Sequence, residues 1–368
     1  MDLPDDERHY LEERYRGDRG RSRLMKSYYG LKPLLPRRLQ IAMRRAYARR
    51  QAATRFPRWP IEPVLVERRE ARLRRAVERR GGPVPLVADW PGGAGFAGIL
   101  THDVEGPEGV ARVEAVIAIE RRHGFVSSWN FVAEWYPIPS GLLAAVRSAG
   151  CEVGLHGVRH DGRLFGDRAS FEAELPAIHH YLEEWGADGF RSPATHRRAA
   201  WMPELGARYD SSFPDTDPFE PQGGGCCSIL PYFLGDLVEL PITMVQDHTM
   251  WEILRHETIS PWIEKSTWIA AHGGLVNLIV HPDYLDTPAR LRMYEEYLDH
   301  LAHLAAARDG WAALPREVAE WWRLRAGLRV VEADGAARIS GRGAERAALV
   351  WATIRDGELA IRPRQEIA

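Results

Sequence analysis

The sequence of 368 residues is poor in cysteine and has no long apolar run. Its three cysteines, two of them adjacent at positions 226 and 227, are too few for a disulfide framework and lack the spacing of a zinc knuckle. No run of about 18 apolar residues occurs, so a membrane-spanning helix is not expected. The first residues are charged and no apolar stretch follows them, unlike a secretory signal peptide. These absences predict a protein of the reducing cytoplasm.

Charge is unevenly distributed along a chain of otherwise globular composition. Hydrophobic residues make up 45% and charged residues 27%, which excludes a wholly disordered or collagen-like chain. Residues 1–80 contain 23 Lys and Arg against 11 Asp and Glu, whereas the remainder contains 26 against 40. We therefore expect a basic helical N-terminal arm, over residues 1–90, on an acidic body.

The most basic part of the arm, residues 36–52, has the periodicity of an amphipathic helix. It contains six arginines and no acidic residue, and Leu39, Met43, Ala46 and Tyr47 recur on one face. Three interpretations are open: a helix packed on the acidic body, peripheral contact with an anionic membrane, or nucleic-acid binding. No nucleic-acid motif accompanies the charge, so we expect no nucleic-acid partner.

From residue 91 onward, short apolar runs alternate with helical patterns. The predicted strands are 96–101, 125–132, 152–155, 189–191, 237–243 and 275–280, and the predicted helices are 110–123, 140–149, 170–185, 288–308 and 316–325. This alternation is typical of βα units in a parallel sheet or barrel, here over residues 91–326. After Gly327, short strands separated by turns predict a small antiparallel β appendage over residues 327–368.

Carboxylates and histidines follow two of the predicted strands. In α/β folds, functional groups lie at the carboxyl ends of parallel strands. Asp103 and Glu105 follow the first strand and lie two apart, so one can bind a cation while the other takes a proton. His156 and His160 follow strand 152–155, at a spacing that lets two imidazoles meet on one metal ion.

Two further strands are followed by a charged or titratable group. Arg191 ends strand 189–191 and can hold a carboxylate in its ionised form. His281 follows strand 275–280, where it is a candidate general acid. An ordered series of such groups, each at a strand end, predicts an active site at one edge of the sheet.

This series resembles the motifs of the polysaccharide deacetylase family, the fourth carbohydrate-esterase family. The family's motifs run T-F-D-D-G, H-[ST]-x-x-H, R-x-P-[YF], an Asp/Trp segment that orients the acid, and L-x-H, and the family also has a Tyr-Asp-Ser-Ser stretch. The matching segments here are Thr101–Gly106, His156–His160, Arg191–Pro193, Tyr209–Ser212 and Ile279–His281. The resemblance spans about residues 95–325 and implies a distorted (β/α) barrel of the deacetylase type.

The resemblance also implies a cofactor and a role for each residue. A divalent cation, usually zinc, would polarise an N-acetyl carbonyl. Asp103 matches the base, held by Arg191, and His281 matches the general acid. The residues that match the metal ligands are Glu105, His156 and His160.

The sequence departs from the family pattern at four places, one of which is His102 in place of the usual apolar residue. The paired aspartates are replaced by Asp103-Val104-Glu105, so these two carboxylates could exchange the roles of base and ligand. Ala194 replaces the aromatic residue after Pro193, which changes the groove there. The segment that orients the acid is not evident. Asp247 and His248 are candidates either for it or for substrate contact. The expected substrate-binding residues are Pro193, His196, Asp247 and His248.

The leading interpretation is a metal-dependent hydrolase that removes an acetyl group from an N-acetylated sugar. Without an export signal, a glycan precursor inside the cell is the expected substrate. A lipid-linked precursor would give the basic arm a purpose at the inner face of the membrane. Two alternatives are a hydrolase of a non-sugar C–N bond on the same fold and a catalytically silent glycan-binding module. The oligomeric state cannot be predicted from the sequence.

Overall fold

The computed structural model describes residues 5–17, 36–333 and 336–364. Its α-helices are α1 (Asp5–Leu11), α2 (Arg37–Gln51), α3 (Val64–Arg80), α4 (Pro107–Val110), α5 (Val113–Arg122), α6 (Leu142–Ser148), α7 (Arg168–Glu184), α8 (Ser260–Ala271), α9 (Pro288–Arg308) and α10 (Pro315–Gly327). A π-helix spans His248–Leu254. Short 3₁₀ helices include Pro91–Gly93, Pro193–Thr195, Met202–Leu205 and Pro282–Tyr284.

Fourteen strands are described in these ranges. They are β1 (Val84–Val87), β2 (Phe96–Val104), β3 (Ser127–Phe131), β4 (Glu152–Leu155), β5 (Gly189–Phe190), β6 (Tyr209–Asp210), β7 (Tyr232–Leu234), β8 (Leu237–Glu239), β9 (Leu275–Ile279), β10 (Gly310–Ala312), β11 (Arg329–Ala333), β12 (Ala336–Ser340), β13 (Leu349–Arg355) and β14 (Glu358–Arg362).

The main sheet consists of parallel strands in the order β9-β2-β3-β4-β5-β6-β8. β7 joins its edge antiparallel to β8, and the short β10 pairs with the beginning of β2. The chain beyond β8 returns to β9, where Met244 N donates to Asn277 O at 3.1 Å and Asn277 Nδ2 donates to Pro241 O at 2.9 Å. The sheet therefore curls into a distorted (β/α) barrel, which confirms the predicted fold class.

Helices cover the outside of the barrel with their apolar faces turned inward. In α5, for example, Val113, Val116 and Ile117 recur at i, i+3 and i+4 and are buried. β2 lies at the centre of the core and extends to Val104, beyond the end predicted at residue 101. The extension follows from its pairing with β3, which places Asp103 opposite Asn130.

Described residues of the N-terminal arm contact the barrel through several segments. At one of these contacts, Arg197 is 1% exposed and donates to both carboxylate oxygens of Glu13, each at 2.7 Å. At another, α2 lies against residues 219–220 and against Glu252 of the π-helix. A helix over residues 36–52 is thus confirmed. Among the described residues, no helix is long and apolar enough to cross a bilayer.

The C-terminal residues form antiparallel pairs, β11 with β12 and β13 with β14, as the turn pattern predicts. β1 pairs antiparallel with β13 and forms a three-stranded sheet with β13 and β14, separate from the β11–β12 pair, although the sequence assigns residues 84–87 to the arm. The division at residues 90 and 326 stays a prediction.

Candidate active site

The carboxyl ends of β2, β4, β5 and β9 meet at one edge of the barrel. The sequence-predicted residues at this edge come together in space, although they are spread over nearly 180 positions of the chain. They are Asp103, Glu105, His156, His160, Arg191 and His281, with Asp247 beside them.

One carboxylate and two histidines form a cluster with the geometry of a cation site. Glu105 Oε1 lies 2.9 Å from His160 Nε2 and 3.9 Å from His156 Nε2. One ligand atom from each of the three residues falls within 4.8 Å of the others. Burial disfavours a charged Glu105, but His160, followed by the other nearby imidazoles, outweighs this effect, and the pKa of Glu105 lies well below its ordinary value.

The environment of His156 fits a metal ligand. Its Nδ1 lies 3.0 Å from the carbonyl oxygen of Arg191, which can only accept, so Nδ1 carries the proton. The other ring nitrogen, Nε2, is buried and has no hydrogen-bond partner among the described residues. Its lone pair therefore points to a cluster that contains a carboxylate and a second imidazole, a donor set that suits zinc and several other divalent ions.

Asp103 is held from two sides next to this cluster. Asn130 Nδ2 donates to its Oδ1 at 2.8 Å, and Arg191 Nη1 lies 3.4 Å from its Oδ2. Burial opposes ionisation, but the charge of Arg191, followed by that of His281, outweighs this effect and lowers the pKa of Asp103. The carboxylate is thus ionised and fixed in orientation.

Arg191 itself is fixed by residues of the Tyr-Asp-Ser-Ser stretch. Its Nη2 donates to Ser211 Oγ at 3.0 Å and to Thr101 Oγ1 at 3.2 Å. The backbone N–H of Ser192 donates to Ser212 Oγ at 2.8 Å. This stretch therefore supports the arginine and the loop that follows β5.

His281 forms a close pair with Asp247 on the other side of the cluster. The Asp247 carboxylate accepts from His281 Nδ1 and from its backbone N–H, each at 2.7 Å. His281 Nε2 lies 3.7 Å from Glu105 Oε1 and so faces the cluster. Burial disfavours the imidazolium, but Asp247, followed by Glu105 and Asp103, outweighs it and raises the pKa of His281 to about 10. Because Asp247 is fully buried, this geometry favours a residue that orients the candidate acid over one that contacts the substrate.

The other substrate-binding candidates lie around this edge. Pro193 is buried against Gly157, whose φ is +69° and where a Cβ would come within 2.9 Å of the proline ring. Pro193 thus packs on the loop that carries the two histidines. His196 is buried after the 3₁₀ helix Pro193–Thr195, and the half-buried His248 ring lies 5.6 Å from that of Tyr284. Substrate contact by these residues stays a prediction.

Sequence reasoning missed two residues that shape the site. Asn130 lies opposite Asp103 on the neighbouring strand. Asp283 accepts hydrogen bonds from the backbone N–H groups of Glu105, at 3.0 Å, and Gly109, at 3.2 Å, and so fixes the turn after β2. A carboxylate two residues after the candidate acid was the available signal for Asp283. For Asn130, the signal was the polar residue in an otherwise buried strand.

No family model matches the chain, and no curated protein matches it. Similar solved structures do exist. A candidate polysaccharide deacetylase from Mycobacterium smegmatis is 22% identical, over 64% of this chain and 93% of that one, with a TM-score of 0.48. PuuE allantoinase is 18% identical, over 65% and 94%, with a TM-score of 0.49.

A family 4 carbohydrate esterase from Streptomyces lividans, solved with acetate, is 14% identical, over 60% and 93%, with a TM-score of 0.38. Polysaccharide deacetylases are thus among the solved structures that this chain is similar to, as its motifs predict, and at these identities the likeness concerns the fold.

Proposed function

We propose that the protein is a metal-dependent hydrolase that removes an acetyl group from an N-acetylated sugar or glycan precursor. One observation carries the proposal: an aspartate held by Arg191 and Asn130 and a histidine held by Asp247 flank the same three-residue cluster. Asp103 Oδ2 lies 3.9 Å from the His156 ring, and His281 Nε2 lies 3.7 Å from Glu105. A base and an acid placed around one cation site are what amide hydrolysis requires.

Glu105, His156 and His160 would hold the divalent ion. A cation at this position supplies Lewis acidity toward the acetyl carbonyl. Asp103 contacts Arg191 and Asn130 and is not one of the three clustered ligands, so we assign it the role of base. The sequence alone allowed the two carboxylates to exchange roles.

The chain supplies both proton transfers. Asp103 accepts a proton from the attacking water, whose oxygen forms a bond with the acetyl carbon. His281, protonated because Asp247 faces its Nδ1, donates its Nε2 proton to the amide nitrogen as the C–N bond breaks. The products are acetate and a free amine.

A reducing compartment, which three cysteines without a disulfide favour, is the proposed place of action. An N-acetylated precursor fits that compartment better than an extracellular polymer does. The two alternatives, a non-sugar C–N bond and a silent glycan-binding module, predict different outcomes in one assay.

That assay measures bound metal and acetate release for the wild type and two variants. His156→Ala should abolish both the metal and the acetate released from N-acetylated amino sugars. His180→Ala, at an exposed histidine on α7, is the matched control and should change neither. Absence of metal from the wild type after added zinc would overturn the proposed mechanism. Metal without acetate release would favour the silent module, and hydrolysis of a cyclic ureide alone would favour the non-sugar alternative.

A further inference from the structure

The outward side of α2 carries a row of large apolar side chains. Leu39, Met43 and Tyr47 lie at i, i+4 and i+8, and their exposed fractions are 45%, 45% and 53%. An amphipathic helix of a globular protein ordinarily turns its apolar side toward the core. On α2 the arrangement is reversed, so this row is available to a partner.

Contacts on the inward side of α2 hold the helix in this orientation. Ala48 is buried in a small cluster with Phe219 and Ile253. Arg44 Nη2 donates to Phe219 O at 2.8 Å, and Arg45 Nε donates to Glu252 O at 2.7 Å. Turning the apolar row inward would break all of these contacts, so they keep the row on the outward side of the helix.

The charge of α2 indicates which partner fits the row. The helix has six arginines and no acidic residue, and Arg49 and Arg50 are exposed. Exposed apolar side chains among arginines are typical of helices that lie in the surface of an anionic membrane. A nucleic acid would match the arginines but would leave the three apolar side chains in water.

α2 is also close to the candidate active site. It contacts Glu252 in the π-helix, and Asp247, the residue just before that helix, holds His281. Gln51 Nε2 donates to Glu220 O at 3.2 Å, and Glu220 lies near enough to His281 to interact with its charge. A surface bound by α2 would therefore lie beside the segments that flank the candidate general acid.

We propose that α2 docks the protein on anionic membranes through Leu39, Met43 and Tyr47 together with its arginines. If the proposed function holds, on which this step rests, docking also indicates the class of substrate: N-acetylated sugars carried by a membrane lipid. The bilayer would receive the apolar row and hold the lipid, while the sugar reaches the edge of the barrel.

Binding is tested by sedimentation of the full chain with vesicles of phosphatidylcholine, with and without phosphatidylglycerol. The triple variant Leu39→Ser, Met43→Ser, Tyr47→Ser should bind anionic vesicles at least about tenfold more weakly than the wild type. Its matched control replaces three apolar residues elsewhere that are 36–37% exposed, Val126, Ile263 and Val331, by serine and should bind like the wild type. Arg49→Ser and Arg50→Ser should each weaken binding about fivefold at low salt.

Three results would overturn the docking proposal. The first is wild-type protein that binds both kinds of vesicle equally or binds neither. The second is equal binding by the two triple variants. The third is light scattering that shows a dimeric wild type and a monomeric α2 triple variant with unchanged vesicle binding, which would assign the row to a second copy of the chain.

The substrate class is tested with two glycosides of N-acetylglucosamine, one carrying a long alkyl chain in anionic vesicles and one carrying a methyl group. The wild type should show at least a tenfold higher kcat/KM on the alkyl glycoside. The α2 triple variant should lose this preference and keep its activity on the methyl glycoside. Equal rates of the wild type on both would overturn the lipid-linked class. Hydrolysis of neither would count against the proposed function, while vesicle binding would still report on docking.

Discussion

Of two buried histidine–carboxylate pairs, one in the interior begins at His102 of β2 and the other follows β9, and only the second belongs to the candidate active site. His102 Nε2 lies 2.6 Å from Glu120 Oε1 in the interior, and His281 Nδ1 lies 2.7 Å from Asp247 Oδ1 at the edge of the barrel. By residue type, distance and burial the two pairs are nearly the same. Their surroundings distinguish them.

The interior pair is closed on every side. The second nitrogen of His102 lies 2.7 Å from Val280 O, and its ring stacks on Trp129 with centroids 4.1 Å apart. Ser127 and Tyr294 also donate to Glu120, each at 2.5 Å. Every polar atom of this pair is occupied within the core, so it holds β2 against its neighbours.

The edge pair leaves one nitrogen for chemistry. His281 Nε2 faces Glu105 at 3.7 Å and is the atom from which a proton can leave. The difference shows that a buried histidine–carboxylate pair is a candidate for catalysis only when its second nitrogen faces a site that substrate can reach. The first three of the following predictions test this distinction, and the fourth compares it with the support of Asp103.

The largest expected effect is on turnover and belongs to His281. His281→Gln keeps a donor for Asp247 but cannot carry the transferred proton, so acetate release should fall by roughly 10²–10⁴-fold. Bound metal and the melting temperature should change little, and both are measured alongside the rate. A variant with near wild-type turnover would remove His281 from the role of acid.

The next effect is on stability and belongs to His102. His102→Leu leaves the Glu120 carboxylate buried without its imidazole, which should lower the free energy of unfolding by about 3–5 kcal/mol. Chemical denaturation measures the loss. Adding Glu120→Gln removes the unpaired charge and should recover part of the stability. If the single variant were as stable as the wild type, the interior pair would not be structural.

A third prediction concerns pH. The general acid must be protonated, so turnover falls as pH rises through the pKa of His281, which is about 10 in the wild type. Asp247→Asn removes the carboxylate that raises this pKa and shifts it toward the ordinary value of 6.5. The alkaline decline of kcat/KM should therefore move to lower pH. An alkaline limb that did not move would show that another group is titrating.

The smallest effect is expected at Asn130. Asn130→Ala removes the amide that donates to Asp103 but leaves Arg191 in place, so turnover should fall roughly tenfold. Metal content should be unchanged, because Asn130 does not contact the ligand cluster. A loss as large as that of His281→Gln would mean that Asn130 touches the substrate itself.

The main parts of the site could be predicted because parallel strands bring their carboxyl ends to one edge. Residue types at those ends were enough to select Asp103, Glu105 and His281 together with His156 and His160. Asn130 was not predictable in this way, since its role depends on the register between two strands. Nor was the end of β2, because the polar residues after Thr101 interrupt the apolar pattern while partners far along the chain satisfy them.

The arm shows the same limit more strongly. Its basic helix was readable from local periodicity, but the orientation of that helix depends on residues 219–220 and 252. No local pattern carries that information. The sequence thus predicted the helix and left open what its apolar side faces.

The ion pair between Glu13 and Arg197 has a consequence for synthesis of the chain. Glu13 leaves the ribosome 184 residues before its partner, so the segment around it cannot dock while the first half of the barrel forms. Domains commonly fold from the N-terminus during translation. Here the segment around Glu13 must wait for the loop after β5, which is followed in the chain by β6, β8 and β9. The ion pair with Arg197 can therefore form only after the first four strands of the main sheet have been synthesised.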